Sequence, residues 1–377
     1  MPAGKRPTGE AMTPFKEFLS PALVRLIAAH LPDPEGFAAR VVPGLAEREM
    51  AARARWIAAH LLDALPPDPA ARHAALRAML HPEVAGLDRA SDARGIAGWG
   101  IWPLSLVVGE HGGAAFDDAM ETLRQMTLRH TAEFAIRPLI AAEPARAFAI
   151  LQGWTRDPSA HVRRLASEGA RPRLPWGTRL DALVADPAPL LPLLEALKDD
   201  PSDYVRRSVA NNLNDIAKDH PGLVVAIAGR WLDGASGDRA ALVRHALRTL
   251  VKRGDPAALA LLGLGPARVR CGAPGLDRAT VALGDALTVT AEIASEADVE
   301  QAVQVDLVLH LLKANGRTAP KVFKGARLVV PGGGSVRFAR THRFRAVTTR
   351  RAYPGRHGVA LRINGVDTDV AWFDLTV

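Results

Sequence analysis

The sequence is poor in cysteine, in aromatic residues and in long apolar stretches, and these shortages exclude whole classes of function. A single cysteine, Cys271, in 377 residues leaves no intrachain disulfide, no cysteine-held iron–sulfur cluster and no cysteine-based zinc site. One thiol also fits a reducing compartment. The longest apolar stretch, around 96–108, holds glycines and a proline and is too short to span a bilayer. The first dozen residues are polar and basic and lack the apolar run of a secretory signal. A soluble, cytoplasmic protein with no membrane attachment is expected, and a monomer. None of the 12 histidines belongs to a His-Glu-x-x-His pair, no glycine-rich phosphate loop follows a strand, and no nucleophile-elbow serine occurs. No metal and no cofactor are expected.

Acidic residues are missing from one long stretch. Between Leu307 and Val366 there are thirteen Lys or Arg, from Lys313 to Arg362, and no Asp or Glu. Solubility alone is served as well by mixed charge, so this stretch points to a polyanionic partner. The formal charge of +8 agrees with a nucleic acid.

The chain has two grains. Up to about Gly265 it reads as successive helices rich in Ala, Leu and Arg, with proline and glycine at the joints. After "GLGPARVRCG" the apolar period drops from 3.6 to 2: Leu287, Val289, Ala291 and Ile293 alternate with polar residues, as do Val303, Val305, Leu307 and Leu309. Asn364-Gly365 is a strong two-residue hairpin signal. The expected fold is mainly α: a HEAT-like repeat α-solenoid over 12–265, then an all-β immunoglobulin-like sandwich over 266–377 without an inter-sheet disulfide. Residues 1–11 are expected to be disordered.

The helical part repeats. "DPSAHVRRLAS" starts at Asp157 and "DPSDYVRRSVA" at Asp200, 43 residues later, with a weaker copy, "DRAALVRHALRTL", at Asp238. Asp-Pro-Ser supplies a cap or turn with proline at the helix entrance. Val-Arg-Arg sets one residue inward and two outward. A period near 40 is that of HEAT-like repeats stacked into a curved solenoid.

Basic residues recur on one face of these helices. Arg164 and Glu168 are i, i+4, as are Arg207 and Asn211, with Asp215 at i+8 and Lys218 beside it. Arg244, Arg248 and Lys252 form a row of cations that repel unless they face an anion. Three carboxylates lie among these basic helices: Glu133 in "HTAEFAIRPLI", Glu168 in "RRLASEGARPRLPW" and Asp215 in "NNLNDIAKD". Taken singly, each reads first as a salt-bridge partner.

"HVRRLASEGARPRLPW" and "YVRRSVANNLNDIAKDHP" resemble the signature of the AlkC branch of the AlkC/AlkD DNA alkylation-repair glycosylases, over about residues 12–265. Some members of that branch carry a C-terminal immunoglobulin-like domain. The resemblance implies hydrolysis of the N-glycosidic bond of cationic alkylated bases, N3-methyladenine and N3-methylcytosine, in double-stranded DNA. Lys218, set in a cationic row, reads as a phosphate contact and not as a Schiff-base nucleophile, so a monofunctional enzyme is expected. It puts the catalytic set at Glu133, Glu168 and Asp215, with Asp215 nearest the sugar and the attacking water. Trp176, after the Pro172–Pro175 kink, would offer an aromatic face to sugar or base. Arg164, Arg207, Lys218, Arg244, Arg248 and Lys252 would hold the surrounding phosphates, and the sandwich would contact DNA as well. The alternative on the same scaffold is a non-catalytic HEAT-repeat protein that binds DNA structure.

Overall fold

A computed structural model describes residues 14–84, 90–346 and 351–377. The expectation of disorder over 1–11 falls outside the described residues. The chain divides into two compact units, Met1–Asp219 and His220–Val377.

The first unit is helical. Its helices begin where a short polar side chain precedes proline. Ser20, Asp33 and Asp68 each accept a backbone N–H three residues on, and Pro21, Pro34 and Pro69 start the helices Pro21–Ala28, Pro34–Val41 and Pro69–Ala78. The first two repeat segments become the helices Ala160–Glu168 and Asp203–Ile216, which pack against each other. The stripe Val205, Val209, Leu213, Ile216 and Ala217 is buried throughout. No described helix of the chain is long and apolar enough to cross a membrane.

The second unit opens with the helices Pro221–Leu232, Gly237–Ala246, Arg248–Arg253 and Pro256–Leu261. Two sheets follow. In the larger, Thr280–Ala282, Ala371–Thr376, Gly355–Ile363, Gln301–Leu312 and Thr318–Val330 lie side by side in that order. In the smaller, Ala286–Ser295 pairs with Ser335–Arg343 and with the short strands Val269–Arg270 and Gly275–Leu276. Leu287, Val289, Ile293, Val303, Val305, Leu307 and Leu309 are fully buried between them, as period 2 predicts. Asn364 and Gly365 both take positive φ, 42° and 90°, the conformation of a type I′ turn.

That turn has a second use inside the unit. Gly365 backs onto Gly254, itself at φ 77°, so closely that a Cβ on Gly254 would stand 2.6 Å from the Gly365 Cα. Arg362 Nη1 donates to the Lys252 carbonyl at 2.6 Å, and Asn364 Nδ2 to the Gly265 carbonyl at 2.8 Å. The helices after His220 are therefore fastened to the sandwich, although their sequence has the helical grain.

Candidate active site

The two Asp-Pro-Ser-x-x-Val-Arg-Arg segments fold alike. Val162 and Val205 are fully buried. The first arginine of each pair turns back on its own turn: Arg163 donates to the Asp157 carbonyl at 2.9 Å and Arg206 to the Asp200 carbonyl at 2.7 Å. Arg163 also grips the Asp200 carboxylate of the next repeat with two bonds of 2.6 and 3.0 Å, and Arg124 donates to the Asp157 carboxylate at 2.7 Å in the same manner. Val-Arg-Arg thus differs from the one-in, two-out expectation, because the first arginine folds back on its own turn and Arg163 also joins one repeat to the next.

In the first repeat the second arginine is freed for the site. Arg164 donates to Glu133 at 2.6 Å and lies 3.5 Å from Glu168. Arg171 takes up the same chain, donating through Nη1 to Glu168 at 2.7 Å and through Nε to Asp215 at 2.8 Å. Lys218 completes it by donating to the other Asp215 oxygen at 2.9 Å. Three carboxylates and three cations alternate: Glu133, Arg164, Glu168, Arg171, Asp215, Lys218. Glu168 and Asp215 are 5% and 1% exposed, so these are charges removed from water and tolerated because each has a partner.

The sequence places Glu168 at the unfavourable end of its helix, where the backbone dipole is negative. Arg171 and the Ser208 hydroxyl, which donates to the second Glu168 oxygen at 2.6 Å, offset that cost. Burial works against the charges on Arg164 and Arg171, but the neighbouring carboxylates outweigh it, and both guanidinium groups bind their protons more firmly than usual. The Arg164 guanidinium also sits 4.9 Å from the Tyr204 ring, whose hydroxyl is pushed up in pKa chiefly by burial. His161 and Tyr204 hold equivalent places in the two repeats, and their rings meet edge-on at 5.7 Å. Burial, followed by the nearby Arg164 charge, lowers the His161 pKa.

The structure therefore brings together Glu133, Arg164, Glu168, Asp215 and Lys218. Arg207 stands apart: its side chain is 61% exposed and pairs only loosely with Asp203, at 3.4 Å. Trp176 is fully exposed and holds φ at 65°, a left-handed conformation unusual for a bulky residue. Asp215 is buried and does not lie on the open face with Arg207. Arg244, Arg248 and Lys252 belong to the second unit and are not one continuous helical row. Leu247 separates the helix Gly237–Ala246 from Arg248–Arg253, and Arg248 donates to the His245 carbonyl at 2.6 Å. Sequence reasoning passed over Arg171, Ser208, Tyr204 and Arg137. Arg171 had a signal, since it stands three residues after Glu168 on the same turn.

Comparison with known proteins agrees with both units. Residues 270–377 match the model described as "Uncharacterised protein YhaZ, C-terminal Ig-like domain", and residues 190–220 match the HEAT repeat model. YhaZ of Bacillus subtilis is 35% identical over 259 residues, 68% of this chain and 72% of that protein. The solved structure of Pseudomonas fluorescens alkylpurine DNA glycosylase AlkC, bound to DNA containing an abasic site analog, is 34% identical with a TM-score of 0.86. The match covers 97% of this chain and 100% of AlkC. With HEAT-like helices, an immunoglobulin-like C-terminal domain and this degree of identity, the chain belongs to the AlkC branch of the AlkC/AlkD DNA alkylation-repair glycosylases.

Proposed function

We propose that this protein is a monofunctional DNA glycosylase that releases cationic alkylated bases, N3-methyladenine and N3-methylcytosine, from double-stranded DNA by hydrolysis. The observation that carries the reading is the buried cluster in which Arg164 and Arg171 hold Glu133, Glu168 and Asp215 together. An alkylated base already bears positive charge and leaves without a general acid. The difficulty lies in the positive charge that develops on the deoxyribose. Carboxylates fixed beforehand in a water-poor site stabilise that charge without reorganising. Asp215 takes the role nearest the sugar, and one of its oxygens orients the attacking water.

Lys218 donates to Asp215 at 2.9 Å, which supports hydrolysis over attack by a lysine amine and a subsequent lyase step. Arg164 and Lys218 then serve first as counterions of the carboxylates, while Arg207, Arg244, Arg248 and Lys252 contact phosphates. Trp176 offers its exposed ring to sugar or base, and the acid-free stretch of the sandwich adds contacts to the DNA backbone. Release of free methylated base from methylated duplex DNA is the direct test. A folded, DNA-binding protein that releases none at saturating concentration would leave the non-catalytic DNA-binding reading in its place.

A further inference from the structure

The bulkiest fully buried side chain among the described residues is an arginine, Arg137, on the helix Ile136–Ala142. Its Nη1 donates to the Gly169 and Arg171 carbonyls, both at 2.8 Å, and its Nε to the Thr178 carbonyl at 2.6 Å. These acceptors lie at the two ends of one loop. Gly169 follows the helix Ala160–Glu168, whose last carbonyls have no partner within the helix. Between Arg171 and Thr178 the chain runs out to Trp176, fully exposed at φ 65°, and returns.

The helix that carries Arg137 approaches this loop without clearance. A Cβ on Gly169 would lie 2.5 Å from the Ile136 side chain, and one on Gly177 would lie 3.3 Å from the Arg137 stem. Asn212 reinforces the same place, its Nδ2 donating to the Ser167 carbonyl at 2.9 Å. Burying a guanidinium is costly, and here burial, followed by the nearby Arg171 charge, lowers the Arg137 pKa to about 10. Three carbonyls could be satisfied more cheaply by water at the surface. A buried cation held under a strained, fully exposed tryptophan fits a requirement for fixed geometry.

We propose that Arg137 is a positioning residue for base excision: by holding the carbonyls of Gly169, Arg171 and Thr178, it sets both the Arg171 bridge between Glu168 and Asp215 and the projection of Trp176. It touches neither substrate nor reacting atoms and acts through those two residues. The proposal rests on the glycosylase reading for its rate effect, though not for its effect on the loop.

The test uses the full-length protein and Arg137→Lys, which keeps a charge but loses the three-carbonyl grip. Gly177→Ala serves as a second, gentler variant, whose Cβ would meet the Leu174 side chain at 3.1 Å and the Arg137 stem at 3.3 Å. Single-turnover release of methylated base at saturating enzyme, duplex affinity and melting temperature are measured together. The emission attributable to Trp176 is taken as the difference between each protein and its Trp176→Phe counterpart. Arg137→Lys should bind duplex as the parent does and excise on the order of 10²-fold more slowly. Gly177→Ala should show a smaller loss, and both should shift the Trp176 emission. Excision at the parent rate in a folded Arg137→Lys protein overturns the proposal. If Arg137→Lys does not fold, Gly177→Ala decides by the same two signals. If the parent protein releases no base, the glycosylase reading fails, and the Trp176 emission alone decides: unchanged emission refutes the role of Arg137, and a shift upholds its hold on the loop.

Discussion

Replacing Asp215 by asparagine separates catalysis from stability. Asp215 is 1% exposed and accepts from Arg171 Nε at 2.8 Å and Lys218 Nζ at 2.9 Å. The amide has the same shape but one acceptor oxygen, so one of these two charged hydrogen bonds is lost. Arg171 keeps Glu168 at 2.7 Å, and Lys218, with 34% of its side chain exposed, turns to water. No buried ion is stranded. The stability loss should therefore be about 2 kcal/mol, the scale of a hydrogen bond to a charged group, and not the 3–5 kcal/mol of an orphaned buried charge. Loss of a main electrostatic group from the transition state costs on the order of 10²-fold or more in rate. The assay is single-turnover base release at saturating enzyme, with melting temperature and duplex affinity measured in parallel. Asp215→Asn should bind duplex nearly as the parent does and excise at least a hundredfold more slowly. Undiminished excision by the folded mutant would remove Asp215 from the mechanism.

Arg171→Met removes two charged hydrogen bonds but leaves Glu168 with Arg164 and Ser208 and Asp215 with Lys218. It should destabilise the protein by about 3–6 kcal/mol, at about 1.5–3 kcal/mol for each bond, read in denaturant melts. Reversing charge at Arg244 and Lys252, both exposed, should weaken binding to methylated and unmodified duplex alike and lower the salt slope by about 0.9 for each phosphate no longer neutralised; a loss confined to excision would make those residues catalytic. His73 is buried with neither ring nitrogen hydrogen-bonded, and burial holds its pKa below the ordinary 6.5. The unfolded chain then takes the proton first, so stability is full above pH 6.5 and falls as the pH drops below it; His73→Phe should flatten that fall in thermal melts. Deleting residues after 268 leaves all three carboxylates in the first unit but removes Arg362, Asn364 and Gly365 from the helices at 221–261. Those helices should become sensitive to limited proteolysis, while base release persists at saturating enzyme and affinity falls.

The change of period after Gly265 marked where strands begin, and Asn364-Gly365 marked a turn that the structure has. Both are local signals written in adjacent residues. The attachment of the helices at 221–261 to the sandwich is not local. Arg362 reaches the Lys252 carbonyl across 110 residues, and two glycines make room for one another without any pattern that joins them. Similarly, the capping role of Asp-Pro-Ser was legible, but the use of Asp200 as the acceptor for Arg163, 37 residues earlier, was not.

At the site, the Arg164–Glu168 pair was legible because i and i+4 share a face. The row Arg207, Asn211, Asp215 is not straight. Eight residues at 3.6 per turn carry the direction round by about 80°, enough to take Arg207 into solvent and Asp215 into the interior. The same drift, with a break at Leu247, undoes the row from Arg244 to Lys252. Counting cations then overstates the surface available to phosphate, because Arg164, Arg171 and Lys218 already neutralise Glu133, Glu168 and Asp215 one for one. A neutral cluster neither repels the DNA backbone nor draws it in strongly, so affinity must come chiefly from elsewhere, from exposed cations and from the acid-free stretch of the sandwich. What the cluster retains is carboxylate oxygens fixed in place before the sugar develops its charge. The tight pairing that makes it look structural is also what holds the three carboxylates, with Glu168 and Asp215 buried among them, in one geometry.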